Sequence, residues 1–162
     1  MNPHSAYKYC EKNGRNKEME IIIKQDAQYS YLYAKNIIDG RFIEAEDIIM
    51  AHSKYAYYYA LDIIKGRWKE GEDSIAKEVS YSYMYSVYVI KDRFVEAEYN
   101  IMRSPVYAYL YARDILKSAW FDAEEYIVRN LKVRNYYVNQ FYNGESLSNI
   151  RMRRDISKLL CF

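Results

Sequence analysis

The chain has 162 residues, of which 51% are apolar and 21 are tyrosines. This length suffices for one domain with a hydrophobic core, and so many tyrosine hydroxyls favour broad, half-hydrated faces over a dry centre. No apolar run approaches the roughly 20 residues that a membrane span needs, and the basic-then-apolar start of a secretion signal is missing. We therefore expect a soluble protein of the cytoplasm.

Charge is distributed unevenly along the chain, whose net charge is +2. Residues 1–128 carry 17 Lys/Arg against 20 Asp/Glu, and residues 129–162 carry 7 against 2. The body is mildly acidic and the tail is basic. The two cysteines, Cys10 and Cys161, stand near opposite ends of the sequence, so we expect reduced thiols and no disulfide between them.

A strict 26-residue repeat organises the body. Four of the five glycines fall on this grid, at Gly14, Gly40, Gly66 and Gly144, and the two intervening points hold Asp92 and Ser118. Four units follow one another without insertion, beginning at Tyr29, Tyr55, Tyr81 and Tyr107. Such regular self-similarity is typical of a solenoid, in which each unit buries its apolar face against its neighbours.

Each unit is predicted to be a helical hairpin. A glycine in the left-handed conformation would end a first helix of about 11 residues, and a second helix of about 10 would follow. The alternative is a strand, because Tyr81, Tyr83 and Tyr85 alternate with polar residues. In the sister units the alternation stops at an alanine column and gives way to Ile-Ile or Ile-Leu doublets, which favours helix.

We therefore predict an all-α fold, an α-solenoid of about five 26-residue hairpins with a C-terminal capping helix. Residues 1–144 would form the solenoid and residues 145–162 the basic capping helix, in one compact unit. Four columns are predicted to form the core: Ala34, Ala60, Ser86 and Ala112; Ala45, Gly71, Ala97 and Ala123; Phe42, Trp68, Phe94 and Trp120; Ile49, Ile75, Ile101 and Ile127.

Charged residues also form columns. One arginine column is Arg15, Arg41, Arg67 and Arg93; two acidic columns are Glu20, Glu46, Glu72, Glu98 and Glu124, and Glu18, Glu44, Glu70, Glu96 and Asp122. Acids in a first helical turn complement the helix dipole, and the arginines can pair with them inside a unit or across to the next. Because a catalytic site needs unlike groups that converge once, these columns indicate a structural ladder.

The unit A-Y-x-Y-A-x-x-I-I-x-G-R-[FW]-x-E-A-E-x-x-I resembles the tyrosine-rich tandem helical repeats of many uncharacterised bacteriophage proteins and some bacterial ones. The segments Tyr57–Glu72 and Tyr109–Glu124 carry the resemblance, which covers about residues 5 to 143. Asn16 replaces the aromatic residue in the first unit, and the pattern decays after Tyr126, as end units require. The resemblance implies a phage protein with a helical-repeat fold and brings no catalytic motif.

Residues for catalysis are sparse. The only histidines, His4 and His52, occupy different repeat phases, and His52 is predicted to lie at a helix end. No nucleophile setting, phosphate-binding loop or metal-ligand spacing occurs. We therefore expect no enzyme activity, no metal and no cofactor.

A column of large apolar residues lies among polar columns of the first helix: Leu32, Tyr58, Met84 and Leu110. It either forms an exposed apolar stripe suited to a partner or is buried by the neighbouring repeat, and both alternatives stay open. In the tail, Met152, Ile156, Leu159 and Leu160 share one helical face. Four cations there could contact phosphate or an acidic partner, or form a solvated face: Arg151, Arg153, Arg154 and Lys158.

These patterns favour a non-catalytic protein-binding repeat module. By analogy with the phage repeats, the module would bind a host protein, such as a defence or regulatory protein, and would thereby block or redirect that protein. The first alternative is nucleic-acid binding through the basic end, which the acidic body disfavours. The second is a structural or assembly component of a virus.

Overall fold

The computed structural model describes residues 1–160, and for residues 153, 154 and 156–160 it describes the helical backbone only. The described chain is helical throughout and contains no strand, which confirms the all-α class. The chain divides into two compact units, residues 1–100 and a second unit that begins at Ile101. The predicted solenoid arrangement, repeat count and boundary after residue 144 stay predictions.

Helix pairs build the first unit. Its helices are α1 (Pro3–Asn13), α2 (Lys17–Ile23), α3 (Ala27–Tyr33), α4 (Glu46–Met50), α5 (Ser53–Tyr59), α6 (Lys69–Ile75), α7 (Val79–Met84) and the start of α8 (Val95–Met102). Helix α1 packs on α2, α3 on α4 and α5 on α6, and α3 also contacts both α1 and α5. The first helices of successive repeats therefore lie side by side in this unit.

The second unit contains α9 (Pro105–Tyr111), α10 (Glu124–Ile127), α11 (Leu131–Tyr142) and α12 (Leu147–Leu160). Helix α9 packs on α10 and α11. Helix α9 begins with Pro105 in its first turn. Backbone N–H groups of a first turn have no partner within the helix, so the N–H that proline lacks costs no hydrogen bond. Helix α12 confirms the helix predicted for the tail.

Four helices end in a π-helical segment, which the sequence analysis did not predict: Ala34–Ile38, Ala60–Ile64, Tyr85–Ile90 and Ala112–Leu116. In the first of them the N–H groups of Asp39 and Gly40 both donate to the Ala34 carbonyl. The wider turn lets one carbonyl accept two bonds, which satisfies backbone groups that a helix end leaves unpaired.

The prediction that the glycine column takes the left-handed conformation is wrong at Gly40 and Gly66. Among the glycines only Gly14 and Gly144 have positive φ. The residue before each grid position from 40 to 144 is left-handed: Asp39, Lys65, Lys91, Lys117 and Asn143. The left-handed residue comes one position before the glycine because of the wider π-helical turn. In that turn the N–H groups of the left-handed residue and of the next residue donate to the same carbonyl. Asp92 and Ser118 can therefore replace glycine on the grid.

The predicted core columns are buried. The isoleucine and alanine columns, and a tyrosine column that recurs with them, contribute side chains that are almost wholly excluded from solvent: Ile49, Ile75, Ile101 and Ile127; Ala34, Ala60 and Ala112; Tyr33, Tyr59, Tyr85, Tyr111 and Tyr137. Their regular recurrence means that every repeat contributes the same few side chains to the core, and burial of each large one favours folding by about 1.5–3 kcal/mol.

Alanine substitutions at the two glycines near Trp68 are expected to have different effects on the free energy of unfolding. A Cβ at Gly71 would lie 2.6 Å from Cε3 of the buried Trp68 ring, whereas a Cβ at Gly66 would meet nothing within 4 Å. We expect Gly71→Ala to lower the free energy of unfolding by about 1–3 kcal/mol. Gly66→Ala should be neutral or stabilising by up to about 1 kcal/mol, because its φ is not positive.

Chemical denaturation of both variants measures this difference. A loss at Gly66→Ala as large as that at Gly71→Ala would contradict the structure, since it would indicate a left-handed Gly66 after all.

Met152, one of the four residues of the predicted apolar face of the tail helix, is 59% exposed. Among the α12 residues whose side chains the structure describes, the buried apolar ones are Leu147 and Ile150 in its first turn. The side chains of Ile156, Leu159 and Leu160 lie outside the described residues, as does Cys161, whereas Cys10 is a buried free thiol. None of the helices in the described part of the chain is both long and apolar enough to span a membrane.

Candidate functional site

A polar triad, whose tyrosine is buried and whose arginine is half exposed, joins the turn and second helix of a hairpin to the next repeat. The backbone N–H of Phe42 donates to the Tyr59 hydroxyl over 2.8 Å, and that hydroxyl donates to Glu46 Oε1 over 2.9 Å. Arg41 then donates from Nε and Nη2 to the two oxygens of Glu46, each over 2.7 Å. The tyrosine thus caps a backbone donor and orients a carboxylate that an arginine neutralises.

The triad recurs along the first unit. Tyr33 with Glu20 and Arg15, and Tyr85 with Glu72 and Arg67, repeat the arrangement. Arg67 also lies 3.5 Å from Glu96 of the next repeat, which belongs to the second acidic column. Both predicted pairings, inside a unit and across to the next, are therefore present, and the acidic column serves the structure.

Burial and pairing shift the ionisation of these groups. Burial raises the pKa of Tyr59 above its ordinary value, so its hydroxyl stays protonated and can donate. Burial acts to raise the pKa of Glu46 as well, but the hydrogen bonds from Arg41 and Tyr59 outweigh it and hold that pKa below its ordinary value. The triad therefore keeps a charged carboxylate in a mostly buried position.

A groove between α3 and α5 is the candidate binding site of the first unit. Its volume is about 220 Å³, and its lining residues are Gln28, Tyr31, Leu32, Lys54, Tyr55 and Tyr58. We call it the tyrosine groove. It brings together two of the four residues of the predicted apolar column, Leu32 and Tyr58, which are both half-buried. The column here is neither a fully exposed stripe nor a buried one.

Hydrogen bonds fix the aromatic walls of the tyrosine groove. Tyr31 stacks on Tyr58 with ring centroids 5.9 Å apart, and Tyr55 donates to Gln28 Oε1 over 3.0 Å. The Tyr31 hydroxyl donates to Asp62, to which Lys35 Nζ also donates over 2.9 Å. Burial and the Asp62 carboxylate raise the pKa of Tyr31 to about 12. The walls are therefore held in place before any ligand arrives.

The other two residues of the column lie elsewhere. Met84 ends α7 and Leu110 lies in α9, and both are half-buried. Leu110 belongs to the second unit and Met84 to the first. Neither lines the tyrosine groove.

Arg151, the first of the four predicted phosphate-binding cations, is engaged inside the second unit. Its Nε lies 3.6 Å from Glu124 Oε2, and the side chain of Glu124 is 1% exposed. The arginine column has Ala119 at this repeat, so Arg151 from α12 supplies the cation that the turn lacks. Tyr142 also donates to Glu124 Oε1 over 2.6 Å. The side chains of Arg153, Arg154 and Lys158 lie outside the described residues.

The histidines occupy aromatic surroundings. His4 stacks on Tyr29 with ring centroids 5.4 Å apart, and His52 is the residue that precedes the first turn of α5, which confirms its predicted place at a helix end. No group of three or more His, Cys, Asp or Glu side chains that could hold a metal ion occurs among the described residues.

Sequence analysis missed Gln28, Lys54 and Tyr55 as groove residues. Gln28 and Lys54 occupy the same repeat position, one residue before the tyrosine that begins each unit. Their contribution depends on the distance between neighbouring first helices, which a helical wheel of one helix does not contain. The recurring tyrosine was the one available signal.

Comparison with family models, curated proteins and solved structures found no match for this chain.

Proposed function

We propose that this protein is a non-catalytic protein-binding module and that the tyrosine groove receives an apolar or aromatic side chain of its partner. The observation that carries the proposal is the groove itself, with three tyrosines and a leucine around an opening of about 220 Å³. Tyrosine is among the residues that contribute most to protein interfaces, because it offers a large apolar face and a polar tip.

Preorganisation supports this function. Tyr31 is 8% exposed and its hydroxyl is bonded to Asp62, so the groove loses little side-chain freedom when a ligand enters. Lys54 lies with Nζ 5.3 Å from the centroid of the Tyr55 ring, which leaves a polar rim around the apolar wall. An apolar centre with a polar rim is the common anatomy of an interface.

The proposed partner is a host protein, on the resemblance to phage helical repeats alone. Binding would act by occupying the surface of that partner and thereby blocking or redirecting it. The repeat body would present further first helices beside the groove if the units stack as predicted. Nucleic-acid binding and a role in viral assembly are the competing functions.

Affinity capture from a bacterial lysate, followed by mass spectrometry, tests the proposal. Leu32→Glu and Tyr58→Glu place a charge in the groove, and we expect each to reduce capture of the partner by about tenfold or more. Ile43→Glu is the matched control, because Ile43 is an apolar residue that is 69% exposed and lies outside the groove. Circular dichroism establishes that all variants keep their helical content.

A protein captured equally by the groove variants and the control would contradict the proposal. Changing Leu32, Tyr58, Met84 and Leu110 together tests whether the whole column binds: further loss beyond Leu32→Glu and Tyr58→Glu would mean that Met84 or Leu110 also contributes to binding. A gel-shift titration and the concentration dependence of the sedimentation coefficient test the competing functions directly.

A further inference from the structure

The second unit contains a cavity that is larger than the tyrosine groove, and no column of the repeat pattern predicts it. Its volume is about 520 Å³, within the range of about 300–1,000 Å³ that small-molecule sites occupy. Residues of α11, of α12 and of the turn between them line it, together with Val128. Six of the lining residues matter here: Val128, Arg134, Asn135, Val138, Leu147 and Arg151. We call it the arginine cavity.

Two cations from different helices meet at this cavity. Arg134 lies on α11 and Arg151 on α12. Arg151 has one carboxylate neighbour, Glu124, which lies 3.6 Å from its Nε. The guanidinium of Arg134 forms no ion pair with any residue whose side chain the structure describes. Two guanidinium groups and one carboxylate leave the cavity with an excess positive charge.

The excess positive charge of the cavity comes from Arg134, because Arg151 is paired with the buried carboxylate of Glu124. The Glu124 side chain is 1% exposed, and its Oε1 accepts from Tyr142 over 2.6 Å and from Tyr137 over 3.5 Å. The carboxylate is therefore held inside the fold by three neighbours. A half-buried arginine without a counter-charge is a site that an anion stabilises.

The rest of the lining is mixed: three of its residues are apolar, and Asn135, Ser146 and Ser148 are polar. Val128, Val138 and Leu147 form a hydrophobic wall, and Leu147 is 5% exposed. The Asn135 side chain adds an amide that can both donate and accept. A bare phosphate ion would use the arginines and leave this wall unused, whereas a ligand with a planar organic part would use both.

We infer that the arginine cavity is a binding site for a mononucleotide, with Arg134 and Arg151 on the phosphate and the Val128, Val138 and Leu147 wall against the base. Arginine suits this role because its planar fork donates two parallel bonds to phosphate oxygens. Asn135 supplies the polar contact to the base edge. The site is separate from the tyrosine groove and does not depend on the proposed partner.

Isothermal titration of the full-length protein with adenosine monophosphate, inorganic phosphate and adenosine tests the inference. We expect adenosine monophosphate to bind more tightly than inorganic phosphate, and adenosine alone to bind at least about tenfold more weakly, since it lacks the charged group. Arg134→Ala should weaken the nucleotide about tenfold or more, and Arg134→Lys should recover part of that loss because it restores the charge but not the fork.

Lys132→Ala is the matched control. Lys132 lies on the same helix as Arg134, is exposed, and does not line the cavity. Its substitution therefore removes one positive charge, as Arg134→Ala does, but leaves the cavity lining unchanged. Thermal unfolding of each variant establishes that the fold is intact, and added nucleotide should raise the wild-type midpoint.

Three results would overturn the inference. The first is no heat of binding for adenosine monophosphate at millimolar concentration. The second is equal affinity for adenosine and its monophosphate, which would exclude a role for the arginines. The third is an equal loss in Arg134→Ala and Lys132→Ala, together with tighter binding of a single-stranded oligonucleotide. That result would indicate diffuse phosphate contacts along a nucleic acid.

Discussion

Replacing Tyr59 with phenylalanine is expected to lower the free energy of unfolding by about 2 kcal/mol. The Tyr59 side chain is fully buried, and its hydroxyl accepts from the Phe42 N–H and donates to Glu46. Without it, a buried backbone donor has no partner and a carboxylate loses one of its donors. Leaving such groups unpaired costs more than the hydrogen bond itself contributes.

Tyr58→Phe is the control for that variant. Tyr58 is the adjacent residue on α5, is half-buried, and forms ring contacts with Tyr31 and Tyr57. Removing its hydroxyl should change stability by at most about 0.5 kcal/mol. Chemical denaturation gives both values. Equal losses at the two positions would mean that the polar triad contributes nothing specific to the fold.

Truncation before Glu145 is expected to destabilise the second unit by about 3–6 kcal/mol, which is the burial of two large apolar side chains. It removes Leu147 and Ile150, which are 5% and 7% exposed, and it takes Arg151 away from Glu124. We expect the truncated protein to lose cooperative unfolding or to aggregate, as measured by denaturation and light scattering.

An internal deletion of one period is the comparison for that truncation. Removing residues 55–80 takes out 26 residues, more than the 18 lost by the truncation, but Tyr81 then occupies the position of Tyr55 in the helix that begins at Ser53. In a one-dimensional repeat the ends can rejoin, so we expect a shorter, folded protein. If both deletions were equally tolerated, α12 would be a free arm and its arginines would become better candidates for a binding function.

The repeating part of the fold could be predicted well from the sequence. Five tyrosines, four isoleucines and the alanine column recur in phase, and burial at each recurrence follows from the apolar face that a helix must cover. The pairing of Arg41 with Glu46 was also predictable, because the same spacing recurs in four units. Repetition replaces the information that an alignment would otherwise supply.

The candidate sites were predictable only in part. Leu32 and Tyr58 were identified from their column, but their groove neighbours Gln28 and Lys54 were not. Arg151 was identified as a cation of the tail, yet its nearest carboxylate is Glu124. Arg134 has no repeat column that marks it. Each of these contacts joins residues on different helices, so it depends on how the helices approach.

The sequence by itself determined the helical class, the core columns and the ion-pair spacing, because these depend on local periodicity that repeats without insertion. Only the tertiary structure decided the π-helical ends, the shift of the left-handed residue from Gly40 to Asp39, and the substitution of Arg151 for a missing turn arginine. The hydrogen bonds at a helix end depend on which partners the packed neighbours offer to its unpaired backbone groups. A side chain such as Arg151 pairs with the charge that the fold places beside it. The spacing of residues along the chain determines neither the hydrogen bonds of a helix end nor such a pair.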